Sequence, residues 1–184
     1  MDLREWSRGA MDQIKAELRS DPHWEALLED RADRSVHLAI FVEPFLGDVI
    51  SGKKTVESRF SVRRYAPYRR VVRGDIVLVK GASGPVRGVC EVGATRFDEL
   101  DSEKLEAIRR EHGEAMRAAD DAFWEACRDA RYVSLIELCA FRPVTPITCP
   151  KRDRRGWVVL QQPMKEARPS IALRKRPSGH PPTW

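Results

Sequence analysis

Three short apolar runs constrain the fold of this chain more than any other feature. They are Val36-His37-Leu38-Ala39-Ile40-Phe41-Val42, Ile76-Val77-Leu78-Val79-Lys80 and Gly156-Trp157-Val158-Val159-Leu160. The first two are nearly continuously apolar and are read as buried strands, and the third is read as the final strand. Val86 to Arg96 alternates as a further strand, with Gly88 and Gly93 at bulge or close-approach positions. Tyr132 to Ala140, marked by Val133, Leu135 and Leu138, is another; it continues past Arg142 until Pro143 and Pro146 close it. With Val56 to Phe60 the count reaches five to six short strands separated by Gly/Pro turns. The expected class is α+β: a small mixed β-barrel with peripheral helices.

Helical patterns flank these strands. Leu3, Trp6, Ala10, Ile14 and Leu18 recur at three- and four-residue spacing, and Asp21-Pro22 restarts a helix as N-cap and first helical residue. Residues 1–35 therefore form an acidic N-terminal helical extension, either a hairpin packed on the main domain or a lid over a basic site. Glu43-Pro44 opens a short helix with Phe45, Val49 and Ile50 on one face and Gly52 as its C-terminal cap. Asp101 to Arg110 forms a charged helix, and Asp120 or Asp121 caps another with Phe123, Trp124 and Cys127 on its buried side. Residues 36–161 make up the main domain, and residues 162–184 form a basic, Pro-rich C-terminal tail. His37, inside an apolar strand, is expected to be a satisfied core or edge residue.

The charge is segregated. Residues 51–73 carry eight basic side chains against the single carboxylate of Glu57, and Lys151-Arg152-Asp153-Arg154-Arg155 is a second basic turn. A field directed in this way attracts polyanions better than a uniform net charge does. The four cysteines show no C-x-x-C spacing and no histidine at metal-ligand spacing, so neither a metal nor a cofactor is expected. The first residues lack a signal-like apolar run, and no segment reaches the roughly 20 apolar residues of a membrane span. A cytoplasmic protein without a membrane partner is the expectation; the oligomeric state is left open.

The densest polar stretch is Ser51-Gly52-Lys53-Lys54-Thr55-Val56-Glu57-Ser58-Arg59-Phe60. On a regular strand Lys53, Thr55, Glu57 and Arg59 share one face and Lys54 points away, unless the Gly52 turn or a bulge reorients it. Lys54 and Glu57 are the candidate catalytic pair if the chain is an enzyme. A lysine near its reference pKa of about 10.4 is no base unless burial lowers it, and Glu57 opposes that by holding the ammonium charged. Arg63, Arg64, Tyr65, Tyr68, Arg69 and Arg70 then interleave cations and rings within eight residues, as unpaired nucleic acid requires. Tyr65 and Tyr68 fit loop packing beside Pro67 equally well, and Glu57 fits an internal ion pair to Arg59 or Arg73. Arg155 joins the candidate binding set, while Trp157 is expected in the core.

Gly52, Lys54, Glu57 and Arg59 spell G-x-K-x-x-E-x-R. Together with the Arg73-Gly74-Asp75 turn, Phe123-Trp124, Tyr132-x-Ser134-Leu135-Ile136 and the closing Gly156-Trp157-Val158-Val159-Leu160, this pattern resembles the ASCH domain family over about residues 36–161. The resemblance implies a PUA-like β-barrel, a fold associated with RNA and modified-nucleotide recognition. Some small ASCH proteins are amidohydrolases that deacetylate acetylcytidine, using the motif lysine, a threonine three residues later and a more distant glutamate. Lys54 matches that lysine, but Glu57 stands where those members have threonine. Ribonuclease activity has been proposed for other members.

The expected function is therefore binding of RNA or a modified nucleotide in a basic cleft lined by Lys53, Lys54, Thr55, Glu57, Arg59 and the 63–70 loop. The alternatives are a hydrolase of a modified nucleoside or of RNA, and a protein-interaction domain whose basic tail docks an acidic partner.

Overall fold

The computed structural model describes residues 2–30 and 33–163 of the chain; the basic tail expected over 162–184 lies almost wholly outside the described residues. Six strands, β1 (Val36–Phe41), β2 (Val56–Ser61), β3 (Ile76–Gly81), β4 (Val86–Glu99), β5 (Tyr132–Ile147) and β6 (Trp157–Gln161), form one sheet in the order β2-β5-β4-β3-β1-β6. The β1–β3 pair is parallel and the other pairs are antiparallel, so the sheet is mixed. It curls into a half-barrel of PUA-like form, as the sequence implied.

Alternation along the buried strands feeds two cores. Val36 and Leu38 of β1, with Ile76 and Leu78 of β3, face one; Ala39 and Phe41, with Val77 and Val79, face the other. A strand buried on both sides has no solvent face to carry polar residues, which is why these runs read as continuously apolar. The first core is completed by two N-terminal helices, α1 (Leu3–Leu18) and α2 (Pro22–Glu29), which bury Trp6, Met11, Ile14, Trp24 and Leu28 against the sheet. Asp21 caps α2 through the amides of His23 and Trp24 and also pairs with Arg142 at 2.7 Å. The indole nitrogens of Trp6 and Trp24 donate to the carbonyls of Thr148 (2.8 Å) and Ala140 (3.0 Å), which resolves the extension as a packed hairpin.

Among the described residues three further helices follow: α3 (Phe45–Ile50), α4 (Ser102–His112) and α5 (Asp121–Ala126). Asp101 caps α4 and Asp120 caps α5, each through its side chain. A third core lies between α4, α5 and strands β2 and β5, around Val56, Ile108, Met116, Trp124 and Leu135. Among the described residues no helix is long and apolar enough to cross a membrane.

Two expectations need correction. In α3 the buried residues are Leu46 and Val49, while Ile50 is exposed, because the sheet meets the helix along a narrower stripe than the apolar pattern suggested. Pro143 and Pro146 do not close β5 but lie inside it. The first half of β5 is flanked by both β2 and β4; beyond it only β4 remains, so a missing N–H can face an unpaired edge. Gly88 sits opposite Pro143, where a Cβ would come within 2.6 Å of the Phe141 ring and the Arg142 carbonyl. The close-approach reading of Gly88 follows from that contact.

His37 is fully buried and satisfied. Trp157 Nε1 donates to its Nδ1 (3.2 Å), so its Nε2 donates to Asp75 Oδ2 (3.0 Å). Asp75 also accepts the amides of Ser35 and Val72, which ties β1, β3 and β6 together.

Candidate functional site

The site begins at Gly52, whose φ of +73° ends α3 in the left-handed region that favours glycine. Lys53 to Thr55 then run as irregular chain, and β2 starts only at Val56. Strand alternation therefore does not govern Lys54. Its amide donates to the Asp48 carbonyl (2.9 Å), and the next two amides share the Ala115 carbonyl. Held in this way, Lys54 turns inward beside Glu57, the reorientation that the Gly52 turn made possible.

Lys54 Nζ donates to the Met116 carbonyl (2.7 Å), lies 3.3 Å from Glu57 Oε2 and sits 5.0 Å from the Phe45 ring centroid. The other oxygen of Glu57 is 2.7 Å from Arg59 Nε. One buried carboxylate thus bridges two cations, which compensates the desolvation that each charge would suffer alone. Arg59 extends further: its Nη2 donates to the Ile40 carbonyl (2.8 Å), and its guanidinium lies 5.7 Å from the rings of both Phe41 and Trp157. Burial pushes the Lys54 pKa down, and Glu57 partly offsets this.

These groups form the floor of a cleft of about 550 Å³, within the size range of small-ligand sites. Phe45 and Phe123, with ring centroids 6.3 Å apart, supply aromatic wall, while Lys80 and the 151–156 segment line the remainder. Six cationic side chains line the cleft against two carboxylates, so its field favours an anionic ligand. A second cavity of similar volume lies between α4 and α5, but its ionisable lining is exposed or half-exposed and partly self-paired, as in Arg128–Glu125. Among the described residues no group of three or more His, Cys, Asp or Glu side chains could hold a metal ion.

The sequence-derived set divides. Lys54, Glu57, Arg59 and Arg155 line the cleft. Lys53 and Thr55 are exposed and do not, because the turn that brings Lys54 inward sends its neighbours outward. Nor does the 63–70 loop line it, contrary to expectation. Tyr68 is 5% exposed and packs edge-on against Phe97 and Tyr132, so it cannot serve as a stacking surface. Arg64 pairs with Glu99 and lies over Tyr132. Arg63, Tyr65, Arg69 and Arg70 are exposed on a surface separate from the cleft. The acidic helices α1 and α2 contribute no lining residue, so the lid reading is not met. Lys80, Lys151, Ser58 and Phe123 are cleft residues that sequence reasoning did not assign. A lysine ending an otherwise apolar strand was the available signal for Lys80.

No family model matches the chain, and no curated protein sequence matches it. Among solved structures, the ASCH protein from Zymomonas mobilis superposes with a TM-score of 0.54 at 15% identity, over 70% of this chain and 90% of that one. A point mutant of the same protein superposes with a TM-score of 0.56 at 16% identity, over 70% and 90%. At this identity the likeness speaks for the fold. The chain has the fold of an ASCH protein, the one its motif resemblance implied.

Proposed function

We propose that the chain binds RNA or a modified nucleotide in the cleft floored by Lys54, Glu57 and Arg59. The observation that carries this reading is the pairing, in one cavity of about 550 Å³, of an excess of cations with the aromatic side chains of Phe45 and Phe123. Aromatic faces take an unpaired base and cations take its phosphates. Glu57 retains acceptor capacity beyond its two ion pairs, because each carboxylate oxygen has two lone-pair directions, and can accept from an exocyclic amine. Titration of labelled single-stranded RNA, followed by fluorescence anisotropy, tests the reading. Micromolar or tighter binding that weakens steeply with salt is expected. Absent or salt-insensitive binding counts against it.

One observation favours a second reading, a hydrolase of a modified nucleoside or of RNA. Lys54 loses its proton more readily than an exposed lysine does, which moves it toward service as a base. Acetylcytidine and labelled RNA should then be turned over by the wild-type chain and not by a folded Lys54→Ala variant. A panel without turnover retires this reading.

A further inference from the structure

The two ends of the cleft differ in charge balance. At the Lys54 end one carboxylate serves two cations. At the other end Lys80 is 6% exposed, and its Nζ donates to the carbonyls of Gly81 (2.8 Å) and Ala82 (3.3 Å). No described carboxylate pairs with it; the thiol of Cys149 and a second cation, Lys151, whose side chain is 5% exposed, act on it in opposite directions. Burial pushes the Lys80 pKa down; Cys149 opposes this and Lys151 adds to it. Among the described residues the side chains of Lys151 and Arg155 pair with Asp153 alone, Oδ1 lying 3.0 Å from Lys151 Nζ and Oδ2 2.8 Å from Arg155 Nη2. Two buried lysine side chains, only one of them paired with a described carboxylate, thus line the cleft with the exposed Arg155, and that carboxylate, Asp153, is itself 39% exposed and carried on a loop rather than on a strand. Like charges brought together out of water destabilise one another unless an anion joins them.

We propose that Lys80, Lys151 and Arg155 form a phosphate subsite at this end of the cleft, and that Asp153 occupies it as an internal substitute until a ligand phosphate displaces it. The inference rests on the nucleotide reading for the rest of the ligand and narrows its class. The ligand carries a phosphate, as a nucleoside monophosphate or as the phosphodiester of an oligonucleotide, and is not a free nucleoside. Hydrogen bonds to a charged partner are stronger than neutral ones, and two lysines with an arginine suit a phosphate oxyanion.

Calorimetric titration of the full chain with the four nucleosides, their 5′-monophosphates, a seven-nucleotide single-stranded RNA and pyrophosphate tests this. The monophosphate should bind at least about tenfold more tightly than its nucleoside. Lys80→Met and Lys151→Met should abolish that difference, Lys151→Arg should retain it, and Asp153→Asn should enlarge it. Circular dichroism establishes that each variant is folded. A heptamer tighter than every monophosphate identifies a phosphodiester as the source; equal affinities identify the free nucleotide. Equal binding of nucleoside and monophosphate overturns the phosphate subsite and leaves nucleotide binding standing. Pyrophosphate binding with the same variant sensitivity, but without binding of nucleotides or RNA, keeps the subsite and removes the nucleotide reading. Failure of every probe overturns both.

Discussion

Arg59 reaches from β2 to the Ile40 carbonyl of β1 with a hydrogen bond of 2.8 Å, joining strands that are not neighbours in the sheet. A side chain thus spans the open seam of the half-barrel where no backbone ladder does. The same guanidinium lies against Trp157 of β6 and pairs with Glu57. Closure of the seam and assembly of the cleft floor therefore share one residue.

Gly156 is the sensitive point of this seam. A Cβ there would lie 2.5 Å from Arg59 Nη1, the mobile end of a long side chain that can move aside. Gly156→Ala should change unfolding free energy by less than about 1 kcal/mol in a denaturant titration, as substitutions that the structure can accommodate do. RNA affinity measured by anisotropy should nonetheless fall, because the Nη1 end of the guanidinium shifts at the cleft while Nε keeps its ion pair with Glu57.

Glu57→Ala leaves the buried ammonium of Lys54 without its paired carboxylate, held by the Met116 carbonyl and by weaker interactions with Asp48 and the Phe45 ring. Removing one partner of a buried pair costs about 3 kcal/mol or more. Chemical denaturation should show a loss of that size, and Glu57→Gln, which keeps shape and an acceptor, should lose less.

Lys54 should titrate below 10.5, since desolvation outweighs the opposing effect of Glu57. Nitrogen-detected NMR of the Nζ group reads this directly, and in Glu57→Gln the midpoint should fall further. The consequence for stability has a definite sign. Between the lowered folded pKa and the unfolded value the folded state binds fewer protons, so this residue's contribution rises with pH. The penalty of burying its charge is fully present below the folded pKa and is relieved as pH climbs toward the unfolded one.

Tyr65 and Tyr68, three residues apart in one basic loop, should behave oppositely. Tyr68 is 5% exposed within an aromatic cluster, and Tyr68→Ala should cost about 3 kcal/mol of stability through the lost core ring. Tyr65 is 60% exposed, so Tyr65→Ala should leave the denaturation midpoint unchanged. A matching drop in both midpoints would contradict this assignment.

Removal of residues 2–30 should abolish cooperative unfolding. Trp6, Met11, Ile14, Trp24 and Leu28 share one core with β1, β3 and β6, and their loss would expose that face of the sheet. Solubility and a calorimetric scan of the truncated chain check the point.

Local pattern was enough for much of the architecture. Continuous apolar runs announced β1, β3 and β6, and Asp21, Asp101 and Asp120 announced helix starts, because these signals act within a few residues of the backbone. The prolines of β5 misled, since whether a missing amide matters depends on which strand edge is paired, and that is a property of the sheet. Lys54, Glu57 and Arg59 were also legible, as a spaced polar triplet, although their meeting required the left-handed turn at Gly52.

The remainder of the cleft was decided by the fold. Lys80 lies near the end of β3, Lys151 precedes β6 and Phe123 belongs to α5, far apart in the chain and joined only by the curl of the sheet. That curl also sets which ring of a basic loop faces water: Tyr68 went into an aromatic core while Tyr65 stayed outside. Sequence spacing carries information along a strand or helix, where the repeat is fixed by the backbone. Convergence across strands is set by packing, and packing gathered the six cations of this cleft around two carboxylates.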